Sequence, residues 1–402
     1  MRGRGASGPS LERIDSKLYL QQLEQRSPAA KLDTFQKQNL EEERIKRRGP
    51  KVEQKKEEFE DERVNKLQNM MFALGKRIDS RTNLLQKIQY FPSVSNESKR
   101  CSDLFHHHNN LDLVSGLKDE HRQIGQAFQS LSENWKSVRI KSDTETNQIQ
   151  VVCSLKVGDD KELQDSFEEM KSKVEPLCTS LFLVTTQASK VEHGQKEVKI
   201  EKVKGEDYLT TKIGVLDFKL GPFASLPTAN IDNTTKMFKY TRHNVQKEDV
   251  VIDFDCNAGI YGLAQGRLCK RVIGLDNAQI HVNNAILNAK MHGIEHDFRK
   301  GANVQNLSSI LADLQYEGRN AVILLHPQRL TTVPDKVIEA ILTSNQIKKI
   351  LLFSSNPPAE AFKHLVMLLK DGPFQLHRYL AFDILPGAGN LHTLFVLRNK
   401  IK

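Results

Sequence analysis

Cysteine is scarce and unpatterned in this chain. Cys101, Cys153, Cys178, Cys256 and Cys269 form no CxxC pair and no metal-like spacing with histidine. That argues against a disulfide-built secreted scaffold and suits reduced thiols inside a cell. Long hydrophobic runs are missing as well: no apolar stretch approaches a membrane span, and no signal-peptide core follows Met1. The opening MRGRGASGPS is basic and small, in the manner of a transit peptide, but Glu12 and Asp15 arrive early and argue against one. The expected location is the cytoplasm or nucleus, with the mitochondrion left open.

Positive charge, by contrast, is in excess. The net charge of +9 permits an acidic partner such as nucleic acid, although many housekeeping proteins are equally basic. With 402 residues, 38% hydrophobic and 27% charged, the chain has room for two or three domains and some solvated length.

Residues 1–50 are polar and charge-dense and read as a disordered arm. The run Lys46-Arg47-Arg48-Gly49-Pro50-Lys51 reads as a solvated linker, with nuclear import or RNA contact as the alternative. Residues 51–130 are expected to be a helical region. Val64, Leu67, Met71, Leu74, Ile78, Leu85 and Ile88 fall near a 3-4 spacing, which predicts a helix with one apolar face over 52–88. Phe91 to Leu113 is expected to be a loop, and its His106-His107-His108 run lacks the companions a metal site needs.

Residues 131–225 read as a small α+β domain: strands at 138–141 and 148–155, a helix at 160–175, then strands at 180–186 and 197–203. Residues 226–402 alternate strand and helix from Asp249 onward and end in two strands, 375–382 and 391–398. This pattern predicts a doubly wound, mostly parallel α/β sheet with one antiparallel strand, an arrangement shared by dinucleotide binders and adenosylmethionine-dependent methyltransferases.

Two strand ends carry the nucleoside-binding signals. The first reads Val250-Val251-Ile252-Asp253-Phe254-Asp255-Cys256-Asn257-Ala258-Gly259; its only nearby glycines are Gly259 and Gly262, and Asn257 tolerates a left-handed backbone. The second ends Gly274-Leu275-Asp276, where an acid about twenty residues past the first turn grips ribose hydroxyls. Capping the helix that follows is the other role open to Asp276.

Residues 249–398, in DFDCNAGIYGLA, RVIGLDNAQ, NAKMHGI, LHPQR, FSSNP and DILPGAGNLHTLFVL, resemble the catalytic domain of the RNA uracil-C5 methyltransferase family. Residues 134–225 resemble the small central domain of its eukaryotic tRNA members, and the helix ending near Ile88 resembles their upstream helix. The resemblance implies a class I S-adenosylmethionine (SAM) methyltransferase-like fold and tRNA or another RNA as partner. The cofactor positions are Asp253, Asp255, Asn257, Gly259, Asp276 and His326, and Arg329, Asn356 and Pro357 belong to the active-site loops.

In that family a cysteine thiolate adds to C6 of uracil and a carboxylate later removes the C5 proton. By the same resemblance, the nucleophile position here is Ser355 and the base position His392. His326 replaces an acid, Asn257 replaces a glycine, and Leu226-Pro227-Thr228 lacks the glutamine that would hold the methionine moiety. A hydroxyl needs a dedicated base where a thiol does not. His326 or His392 could serve only with a third, orienting group. The expectation is a divergent homologue with lost or reduced uracil methylation. An active RNA methyltransferase using direct transfer is the first alternative, and a scaffold binding protein partners through the helix over 64–88 is the second.

Overall fold

The computed structural model describes residues 62–77, 88–91, 101–107, 119–131, 135–143, 145–155, 160–188, 196–225, 231–326, 333–355, 361–383 and 391–400. Residues 1–50 therefore lie outside the described residues, as do Arg329, Asn356 and Pro357. The chain divides into one unit ending at Ala73 and a second from Leu74 onward.

In chain order the elements are α1 (Glu62–Arg77), β1 (Ile88–Phe91), β2 (Cys101–His107), α2 (Asp119–Gln129), β3 (Trp135–Asp143), β4 (Gln148–Leu155) and α3 (Asp160–Lys173). Next come β5 (Ser180–Ala188), β6 (Lys196–Lys204), β7 (Leu209–Ile213), β8 (Leu216–Leu220), α4 (Ile231–Arg242), β9 (Val250–Phe254), α5 (Ile260–Leu263), β10 (Arg271–Asp276) and α6 (Gln279–Met291). The chain closes with β11 (His296–Lys300), α7 (Val304–Tyr316), β12 (Ala321–Leu325), α8 (Asp335–Thr343), β13 (Ile347–Ser354), α9 (Phe362–Val366), β14 (Phe374–Phe382) and β15 (His392–Asn399).

An eight-stranded sheet has the order β1-β14-β15-β13-β12-β9-β10-β11. Every residue of β9 and β12 is buried, as strands covered on both faces require. β15 runs antiparallel to both β13 and β14, whereas the other neighbours are parallel. The chain winds outward from β9 through β10 to β11, then returns to β12 on the other side of β9. That reversal opens a crevice at the carboxyl ends of β9 and β12, where α/β sheets bind ligands.

A five-stranded sheet, β2-β3-β4-β5-β6, holds a separate core. Ile124 and Phe128 of α2 and Met170 of α3 pack there with Trp135, Val138, Ile140, Val151 and Leu181. Burying side chains of this size contributes about 1.5–3 kcal/mol each.

Several expectations are corrected. The helix over 52–88 is α1 alone among the described residues: Ile88 belongs to β1, in parallel register with Tyr379. The loop over 91–113 contains β2, with His106 and His107 paired to Val138 and Ser137. Residues 51–130 are thus not purely helical. Both strands are fixed by distant partners, which local periodicity does not see. The helix α5 stops at Leu263, and the chain continues in tighter turns, Gln265 N–H to Gly262 O at 2.9 Å and Leu268 N–H to Gln265 O at 2.8 Å. Elements absent from the sequence reading are the β7–β8 hairpin, α4 and β11, the last being His-Asp-Phe-Arg-Lys and so without an apolar run.

Candidate functional site at the carboxyl edge of the sheet

The turn after β9 is built from left-handed backbone. Asp255, Asn257 and Gly259 have φ of 60°, 49° and 76°. Asn257 thus adopts the conformation expected of it in place of glycine, and its side chain adds a function. Its Oδ1 accepts from Ala258 N–H at 2.8 Å and from Ser225 N–H at 3.1 Å. Ser225 is itself held by Arg139 of β3, whose Nη2 donates to Ser225 Oγ at 2.8 Å. The turn is therefore tied to the small sheet.

The amides of this turn are consumed internally. Cys256 N–H bonds Leu275 O at 3.0 Å, Gly259 N–H bonds Cys256 O at 2.7 Å, and Asn257 N–H bonds Asp276 Oδ2 at 2.9 Å. With Ala258 N–H also engaged, this stretch has no free amide to cradle a pyrophosphate, which a dinucleotide site demands.

Asp276 ends β10 and is buried. Its Oδ1 accepts from Ala278 N–H at 2.8 Å and from His281 Nδ1–H at 3.0 Å, alongside the Asn257 bond on Oδ2. Burial would raise its carboxyl, but the bonds from His281, Ala278 and Asn257 hold it below the usual range. An ionised carboxylate offers about four acceptor sites, so one remains for a ligand hydroxyl. The helix that follows has Ala278 as its N-cap with no side-chain cap, so Asp276 steadies the entry through Ala278 N–H without being the cap residue.

Asp255 is half-buried between these features. Burial pushes its carboxyl up to about 6; His326 opposes that rise, and Asp276 and Asp253 add to it.

The reaction-side residues are arranged differently. Asp253 is fully buried, and its Oδ1 accepts from His326 Nε2–H. Its Oδ2 accepts from Gly262 N–H at 2.8 Å; a Cβ on Gly262 would lie 2.7 Å from that oxygen, so only glycine allows the approach. Burial alone would lower the His326 imidazole, yet the Asp253 carboxylate outweighs it and raises the group above its usual value. Tyr261 stacks on His326 with ring centroids 4.3 Å apart, and Phe353 lies 4.7 Å from Tyr261. His326 is thereby a buried partner of Asp253.

His392 opens β15, opposite Phe382, and its ring lies 6.3 Å from Phe353. Nε2 is buried with no hydrogen-bond partner among the described residues. Burial, then repulsion from His326, push the imidazole down to about 4, so it is neutral near pH 7. Ser354 pairs with Thr393, so Ser355 follows at the same strand ends as His392. Ser355 is exposed. Cys256 and Cys269 are buried, with Cys269 pushed up to about 12 by burial first, so neither is an available thiolate.

The structure thus brings Asp253, Asp255, Asn257, Gly259, Asp276, His326, Ser355 and His392 to one edge. It also supplies Tyr261, Phe353, His281, Ser225 and Arg139, which the sequence reading did not assign to the site. Only His281 left a trace, as a polar residue in the first turn of the helix after Asp276.

No family model matches the chain. Curated relatives do. An uncharacterized RNA methyltransferase of Oceanobacillus iheyensis is 27% identical over 246 residues, 60% of this chain and 49% of that protein. One from Chlorobaculum tepidum is 27% identical over 201 residues, 49% and 41% of the two chains. The tRNA (uracil-5-)-methyltransferase homolog A of Mus musculus is 27% identical over 228 residues, 54% of this chain and 36% of that one. The chain therefore spans about half the length, or less, of these relatives. In fold it is similar to the tRNA (uracil-54, C5)-methyltransferase of Pyrococcus abyssi, solved with S-adenosyl-L-homocysteine, with a TM-score of 0.56, 12% identity and coverage of 83% of each chain. By sequence the chain is thus similar to proteins named RNA methyltransferase and tRNA (uracil-5-)-methyltransferase homolog, and by fold to a tRNA (uracil-54, C5)-methyltransferase.

Proposed function

We propose that this chain keeps the cofactor-binding half of an RNA uracil-C5 methyltransferase and has lost or reduced its uracil chemistry. The observation that carries the reading is the state of the reaction-side groups. Ser355 is exposed, His392 is a half-buried imidazole whose Nε2 is buried and which is pushed down to about 4, and His326 is committed to Asp253. A hydroxyl nucleophile needs a base that accepts its proton near neutral pH and a third group to orient that base. An imidazole that protonates only near pH 4 is a weak base for a hydroxyl.

The cofactor half fits SAM. Asp276 retains an acceptor site for a ribose hydroxyl, the turn offers no phosphate cradle, and Asp255 places a carboxylate near the turn for a cationic ligand. When bound, SAM supplies an electrophilic methyl group on a positively charged sulfur. Asp276 would hold its ribose and Asp255 would face its charge. Residues 131–225 and 226–402 serve as the central and methyltransferase-like domains, Arg329, Asn356 and Pro357 as the loops that meet RNA. The basic charge suits tRNA or another RNA as partner.

The test is transfer of labelled methyl from SAM to tRNA by the purified full chain. No ribothymidine supports the reading; robust ribothymidine overturns it. The intact Asp276 turn also supports a second reading, an active RNA methyltransferase that alkylates an already nucleophilic nitrogen. Calorimetry showing no binding of SAM removes it. The scaffold reading has less behind it, because Val64, Leu67, Met71 and Leu74 of α1 are buried. Among the described residues no helix is long and apolar enough to cross a membrane.

A further inference from the structure

The opposite edge of the large sheet, at the amino ends of β9 and β10, carries a cavity of about 690 Å³. Lys239, Arg242, His243, Lys247 and Arg267 line it, with Val245 and Leu268 as its apolar part and no carboxylate. Among the described residues, Lys239, Arg242, Lys247 and Arg267 make no ion pair and no side-chain hydrogen bond. The acids beside them in the chain are engaged elsewhere: Asp249 pairs with Lys348, and Glu248 lies 4.0 Å from Arg319.

Lys239 and Arg242 stand in the last turn of α4, where the helix dipole favours cations. Lys247 and Arg267 come from two separate connections and have no such reason to be there. Like charges gathered on one surface repel one another, so this arrangement favours binding of an anion. Three chain segments spread the cations around a cavity far larger than one phosphate group. That spacing suits a run of phosphodiesters.

We propose that this cavity is a contact surface for an RNA backbone, on the edge of the sheet away from Asp276 and Ser355. The inference rests on the RNA-partner part of the reading above and is independent of cofactor binding and methyl transfer. It assigns positioning and affinity to the far edge and leaves base recognition to the carboxyl edge.

The test is the salt dependence of tRNA binding by the full chain, read by fluorescence anisotropy. The variant carrying Lys239→Ala, Arg242→Ala, Lys247→Ala and Arg267→Ala is expected to bind about tenfold or more weakly at 0.1 M salt, with a salt slope shallower by about 3. A control removing equal charge elsewhere, Lys136→Ala, Lys290→Ala, Lys336→Ala and Lys370→Ala, is expected to lose far less. Equal losses in the two variants, or none in the first, overturn the proposal. Displacement of the RNA by inorganic pyrophosphate at matched ionic strength overturns it too, in favour of a small-phosphate site. A wild type that binds no RNA defeats the RNA-partner reading and this inference together. Robust tRNA methylation defeats only the account of lost catalysis and leaves the cavity's role standing.

Discussion

The β9–β10 turns and the β13–β15 strand ends share one sheet edge but differ in how their polar groups are satisfied. In the first, Asp276 and Asn257 each gather several hydrogen bonds, and Asp276 keeps one acceptor site to spare. In the second, Ser355 is exposed while an imidazole nitrogen of His392 is buried with no hydrogen-bond partner among the described residues. Polar groups are costly to bury unpaired, so the first region satisfies its groups internally, while the second leaves one buried nitrogen without a partner among the described residues.

The comparison breaks most visibly at the buried pair joining its two sides. Asp253→Ala leaves His326 buried without the carboxylate bonded to it, and denaturant unfolding is expected to show a loss of about 3–5 kcal/mol. His392→Leu should go the other way, neutral or stabilising by about 1 kcal/mol, because it removes an unsatisfied nitrogen. Its pH signature has a definite sign. With the folded imidazole at about 4, below the usual 6.5, the unfolded state binds more protons in between. This group's contribution to stability is therefore full above about 6.5 and is lost as pH falls toward 4; the leucine variant should lack that component.

On the ligand side, Asp276→Asn is expected to weaken SAM at least about tenfold by calorimetry, since the amide supplies one acceptor oxygen where three donors already converge. Next in size is a pH effect. Asp255 titrates near 6, so affinity for a cationic ligand should rise between pH 5 and 7, and Asp255→Asn should flatten that rise. Smallest of all, Ser355→Ala should change neither SAM affinity nor stability by more than about 0.5 kcal/mol, because the side chain is exposed.

The parts legible in the sequence were those with strong local signals. The strand Gln148–Leu155 has the bounds its sequence implies, being an apolar run between polar segments. The left-handed Asn257 was foreseeable from the short side chain that tolerates it. What escaped were elements defined by distant pairing, such as β1 against β14 and β2 against β3. Tyr261 escaped as well, since only the fold shows that it lies over His326. The substitutions at 326, 355 and 392 were readable by resemblance, but nothing in the string tells that His326 is bonded to Asp253 or that Nε2 of His392 is buried.

The central claim is that residue 355 no longer attacks a pyrimidine. Incubating the purified chain with SAM and 5-fluorouracil-containing tRNA, then looking for a protein–RNA adduct by denaturing gel and mass spectrometry, tests it most directly. The account predicts no adduct from the wild type; a stable covalent complex mapped to Ser355 would contradict it.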